Sequence, residues 1–183
     1  MNLAETILGN PELVGQVAQN LGLGRNDART GLEALLPGVA RGLRRNAARP
    51  GGLESLLGAL RSGRHDRYVD RPESLSEPET RLDGNAILGH IFGSKDVSRN
   101  VAGSAARESG IDGSALKKML PMVAAMAMGA LAKQGQGDTA LGRAEARTQQ
   151  DASSGMSLLE GFLDSDGDGS VVDDVLNLAR KFF

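Results

Sequence analysis

Apolar side chains recur at helical spacing through the N-terminal third of the chain. Leu13, Val14, Val17 and Leu21 mark one face of a helix whose start is written in Asn10-Pro11-Glu12. The Asn accepts orphan amide hydrogen bonds, Pro suits the first helical position, and the acid sits at the positive end of the dipole. Gly22 ends this helix. Ala28, Leu32, Leu35, Leu36, Val39 and Leu43 then continue the period, with an interruption expected at Pro37. A third apolar piece, GGLESLLGAL, follows a Pro-Gly-Gly break at 50–52.

The pattern fails at RSGRHDRYVDRPESLSEPETRLD, residues 61–83, where charge is mixed and only three larger apolar side chains precede Leu82. A solvated, mobile linker is the expectation there. A second polar stretch, 133–155, has flexible glycines first and a helical middle. The chain is therefore expected to divide into a helical unit at 1–62, a linker at 63–83, a second helical unit at 84–132, a linker at 133–155 and a C-terminal helix-loop-helix at 156–183.

The second unit repeats the first. Residues 17–43 match 101–131 through an apolar helix, a Gly-apolar turn (Gly22-Leu23, Gly110-Ile111) and a second helix holding Leu-Pro (Leu36-Pro37, Leu120-Pro121). Turn and proline are 15 residues apart in one copy and 11 in the other, and the difference of about one helical turn keeps the same face buried. Asn85 and Ser94 are expected to cap helices before the second turn, and Asp112 the helix after it. Two such units bury each other's faces.

Composition agrees with short, closely packed helices: 25 glycines, four Phe, one Tyr and no Trp leave Leu, Ala, Val, Ile and Met to fill the core. The expected fold class is all-α, with two related helical lobes and a short C-terminal helix-loop-helix. A net charge of -2 and a pI near 5.7 remove the general electrostatic case for a nucleic-acid or anionic-membrane binder. No cysteine is present, so there is no disulfide, thiolate metal site or cysteine nucleophile. The N-terminus lacks a basic leader with a continuous apolar run, and MLPMVAAMAMGAL is read as too short to cross a bilayer. A cytoplasmic location is the expectation.

The Gly-apolar turn, the Leu-Pro step, GGLESLLGAL, NAILGHIFG and the terminal DSDGDGSVVDDVLNLARKFF together resemble the YidB-like bacterial proteins of domain of unknown function family 937. The resemblance covers most of the chain outside the linkers. It implies an all-helical fold with a homeodomain-like motif and carries no established activity.

The chemistry concentrates at 164–175, DSDGDGSVVDDV. Asp164, Asp166 and Asp168 occupy positions 1, 3 and 5 of an EF-hand-type loop, where alternate side chains reach a calcium ion. Gly169 stands at the sharp bend, Ser170 offers its carbonyl at position 7, and Val171 anchors the loop. Val175 replaces the usual bidentate acid at position 12, so Asp173 or Asp174 would close a shortened ring. Ser157-Leu-Leu-Glu160 forms a capping box for an entering helix with Phe162 and Leu163; Val175, Leu176, Ala179 and Phe182 line an exiting one. The bland alternative is an Asp/Gly-rich turn whose acids cap the exiting helix.

Other signals are weaker. Arg41, Arg44, Arg45 and Arg49 form a basic cluster that a homeodomain-like helix could carry into a groove of DNA, although arginines also suit any helix C-terminus. Met119, Met122 and Met126 form a stripe that reads as core before it reads as a partner groove. Ser114 and Lys117 match S-x-x-K without its companion motifs, and neither His65 nor His90 joins a ligand or triad spacing. The reading is a non-enzymatic helical interaction or assembly module with a C-terminal calcium loop, its partner another protein or a second copy. DNA binding through the Arg41–Arg49 cluster is the alternative.

Overall fold

The computed structural model describes residues 2–137, 156 and 159–163. Among these the protein is all-α. Helix α1, Leu3–Leu8, begins at a capping box in which the Asn2 side chain accepts from the Glu5 amide while Glu5 accepts from the Asn2 amide, 2.8 and 2.9 Å. Helix α2, Pro11–Leu21, starts as expected: Asn10 Oδ1 accepts from the amides of Glu12 and Leu13. Gly22 ends it in the left-handed region, φ 65°, which glycine enters without steric cost.

Helix α3, Arg25–Ala47, runs unbroken through Pro37. A helix-interior proline costs about 3 kcal/mol, but this helix buries Leu32, Leu35, Leu36, Val39 and Leu43. At about 1.5–3 kcal/mol for each buried side chain, the apolar face outweighs the proline. Helix α4, Gly52–Ser62, follows; α5 is Arg67–Asp70, and a 3-10 helix spans Pro72–Ser76. Helix α6 is Pro78–Phe92, α7 is Lys95–Ser109 and α8 is Gly113–Gly137. Ser94 caps α7, and Asp112 accepts from the amides of Ser114 and Ala115 at the start of α8, as expected. Asn85 does not cap: it lies exposed inside α6, which starts earlier because Pro78 is already at a helix-compatible first position.

The repeat is present as helix, left-handed glycine and long proline-bearing helix: α2, Gly22 and α3 in one copy, α7, Gly110 and α8 in the other. The copies are not separate lobes. Helix α3 packs on α6 and α7 of the second copy, α8 packs on α1 and α2 of the first, and α3 and α8 meet each other. One continuous core results, running from Leu3 to Leu163. Close passage is possible because α3 presents glycine where partners cross: Gly31 meets Leu116 and Met119, Gly38 meets Val101, and Gly42 meets Ile91 and Phe92. The complementary approach is Gly84 of α6, over the Pro121 carbonyl of α8.

The stretch expected to be a mobile linker at 63–83 is folded and packed. Its three larger apolar residues before Leu82, namely Tyr68, Val69 and Leu75, are all buried. Ser74 and Thr80 are buried too and satisfied locally: Thr80 Oγ1 donates to the Ser74 carbonyl at 2.6 Å, and Ser74 Oγ to the Arg67 carbonyl at 3.2 Å. Sparse apolar residues sufficed because each one is an anchor while the charges between them stay at the surface. The second polar stretch begins as helix, since α8 continues to Gly137; residues 138–155 lie outside the described residues.

Helix α8 also revises the expectation that no apolar stretch is long enough to cross a bilayer. Gly113–Gln134 meets that length and composition, with mean hydropathy 1.3, yet 78% of the window is buried by the other helices. It is the core helix of this fold.

Candidate functional site

The loop residues Asp164, Asp166, Asp168, Ser170, Asp173 and Asp174 lie outside the described residues. Of the helix expected to enter them, Ser157 and Leu158 also lie outside, while residues 156 and 159–163 are described. Residues 159–163 are helical, and Leu159, Phe162 and Leu163 are buried in the common core, with Met156 packed against it. Leu163 is 0% exposed, so the residue immediately before Asp164 is rooted in the body.

The basic cluster sits on the last turns of α3 and just beyond. Arg41, Arg45 and Arg49 are exposed and Arg44 is half-buried; among the described residues none of the four makes an ion pair. Met119, Met122 and Met126 are buried in α8, so the stripe is core. The Ser114 hydroxyl is spent on Asp112, whose carboxyl is held below the usual range by that hydroxyl and by the Ala115 and Ser114 amides. Ser114 is part of a helix cap, and Lys117 is exposed. The His90 side chain is exposed on α6, while its carbonyl accepts from Asn46 Nδ2 at 2.8 Å, tying the ends of α3 and α6 together.

A cluster of interacting polar side chains lies within 63–83, the stretch whose composition suggests a linker. Tyr68 is buried with its hydroxyl on Asp83, and Arg67 donates to that hydroxyl at 3.0 Å and pairs with Asp83 at 3.4 Å. The guanidinium carbon of Arg67 is 4.9 Å from the Tyr68 ring centre, a cation–π distance. Burial, then the Asp83 hydrogen bond, pushes the Tyr68 hydroxyl above its ordinary pKa. The His65 ring lies 6.0 Å from the Tyr68 ring, and its Nδ1 is buried without a partner. Desolvation pulls His65 below its usual pKa against the raising effect of the Ala59 carbonyl. Lys133 of α8 pairs with Asp70, and Gly129 of α8 makes room for the His65 carbonyl. This cluster fastens α5 and α6 to α8. Tyr68, the only tyrosine, was the available signal.

Concavities are open. A groove of about 300 Å³ between the end of α3, α4, α6 and α8 is lined by Leu56, Ile87, Ile91 and Met128, with Asn46, Arg49 and His90. A shallower depression of about 830 Å³ lies over α1, α2 and the start of α3; its Arg29 is already engaged by the Leu8 carbonyl and Glu33. Among the described residues no three His, Asp or Glu side chains converge to hold a metal.

An all-helical, internally repeated body with long proline-bearing helices at its centre defines the class. Residues 6–134 match the family described as bacterial protein of unknown function, DUF937, and the chain belongs to that family. No curated protein and no solved structure matches.

Proposed function

We propose that the protein is a non-enzymatic helical interaction and assembly module whose C-terminal acidic loop binds calcium. In this reading Asp164, Asp166 and Asp168 are side-chain ligands, Ser170 a carbonyl ligand, and Asp173 or Asp174 the closing acid. The observation that carries it is the burial of Leu159, Phe162 and Leu163 directly ahead of Asp164. An ion held by the following residues fixes the direction of the chain leaving an anchored helix, and so links metal occupancy to what the body presents to a partner. Partner and self-association are part of the same reading. Sedimentation of the full chain across a concentration series, with calcium and with chelator, tests it: a concentration-dependent rise in mass that calcium shifts is expected, and a monomer in both conditions would reject assembly.

A second reading, DNA contact through α3, is supported by the exposure of Arg41, Arg45 and Arg49. It is opposed by the packing of one face of α3 against α6, α7 and α8 and by the exposed acids Asp27 and Glu33 on its outer face, which leave the basic residues of the last turns as the part suited to a groove. It predicts affinity falling steeply with salt and weakened in R41A/R45A.

A further inference from the structure

Helix α6 is apolar on the wrong side. Its core face is Thr80, Gly84, Ile87, Leu88 and Ile91, all buried. The opposite face, at the helical period, is Pro78, Leu82, Asn85, Ala86 and Gly89, all exposed and none charged. Leu82 is 68% exposed, the most exposed large hydrophobic side chain among the described residues. A surface helix ordinarily carries its charges there, whereas on α6 the exposed Glu79, Arg81 and His90 flank the stripe instead.

Resting on the self-association in the proposed function, we infer that this face is where two copies of the chain meet, with α6 antiparallel to α6 of the second copy about a two-fold axis near Asn85 and Ala86. Three features select that occupant and orientation. First, the antiparallel register sets Leu82 of each copy over Gly89 of the other. A side-chain carbon at Gly89 would have nothing within 4 Å, so the leucine meets bare backbone there with no side chain in its way. Second, Glu79 and His90 lie on the same edge of the stripe, both exposed, and neither forms an ion pair among the described residues. A two-fold axis normal to the plane of the two helices keeps that edge on one side and reverses its order, so Glu79 of each copy comes beside His90 of the other, twice. A parallel two-fold pairing would put the Glu79 and His90 edges of the two copies on opposite sides of the contact and form neither pair. Third, antiparallel helices bring opposite dipole ends together. The contact is isologous, the geometry of closed dimers. A 15-residue helix is about 22 Å long, so its interface falls at the small end for stable complexes and the dimer is concentration-dependent.

The test uses the full chain with three changes. Leu82→Glu alters an exposed residue and leaves the core intact; it is expected to raise the dimer Kd by about a hundredfold or more, because two buried leucines are lost per dimer. The exchange Glu79→His with His90→Glu should restore the dimer that Glu79→His alone weakens. Ala86→Cys, in a chain with no cysteine, should be joined to its twin by a short bis-maleimide, whereas Arg99→Cys on the exposed side of α7 should not. A dimer that L82E leaves unchanged and that A86C does not cross-link would overturn the α6 interface while leaving self-association standing. A monomer throughout the concentration range would overturn both, and calcium binding is read separately by calorimetry.

Discussion

The Tyr68 hydroxyl donates a hydrogen bond to the Asp83 carboxylate, joining α5 to α6 across a segment of mixed charge. The buried ring and this bond are what turn residues 63–83 into part of the body. Removing the hydroxyl alone, in Tyr68→Phe, should cost about 1 kcal/mol, toward the low end for a bond to a charged group because Asp83 is half-exposed. Removing the ring, in Tyr68→Ala, should cost about 3–5 kcal/mol, as for other large aromatic deletions from a core. Urea unfolding of the two variants measures both. Equal stabilities for Y68A and the parent would mean that this segment does not pack.

His65 makes stability depend on pH. Its pKa is lowered in the folded protein by burial, with Nδ1 lacking an acceptor, while Asp83 and Asp66 pull upward and Arg67 downward. The unfolded chain therefore takes up a proton first, at about pH 6.5, and stability contributed by the neutral ring is present above that pH and lost below it. Stability should fall between pH 7 and pH 5 by more in the parent than in His65→Gln, as unfolding at a series of pH values would show. An identical pH slope in the two proteins would contradict this account of the ring.

Two glycines should answer oppositely to alanine. Gly84 faces the Pro121 carbonyl at the crossing of α6 and α8, and a methyl group there forces backbone apart from backbone. Gly84→Ala should destabilise by about 1–3 kcal/mol. Gly58 lies exposed in α4 with nothing within 4 Å of an added carbon, so Gly58→Ala should stabilise by about 0.5–1 kcal/mol through helix propensity. Thermal melts of the pair distinguish them.

The repeat was legible because its punctuation is local chemistry. Gly22 and Gly110 both adopt the left-handed conformation, and Asn10, Ser94 and Asp112 all cap. Helix α1 was missed although Asn2 and Glu5 form a readable capping box, since six residues are too few for a periodic signal. Pro37 looks like a break in the sequence because the pattern shows the cost of the lost hydrogen bond, whereas the compensating burial on α6, α7 and α8 is tertiary. The same holds for Tyr68, Val69 and Leu75, whose burial depends on α8 and on the glycine at 129. At the candidate site, the sequence supplies the alternating acids and the apolar helix before them, and the structure adds the burial of Leu159, Phe162 and Leu163 in the common core.

Docking of the C-terminal helix should itself be measurable. Phe162 and Leu163 are buried, so Phe162→Ala should lower stability by about 3–5 kcal/mol even without calcium. A variant as stable as the parent would show that residues 159–163 are not part of the cooperative unit.

The most direct measurement is calorimetric titration of calcium into the full chain, beside the Asp164→Ala/Asp168→Ala variant. A single saturable heat in the parent, absent in the variant, is the expected result. No heat at millimolar calcium, or equal binding by both proteins, would contradict the metal-binding module proposed here.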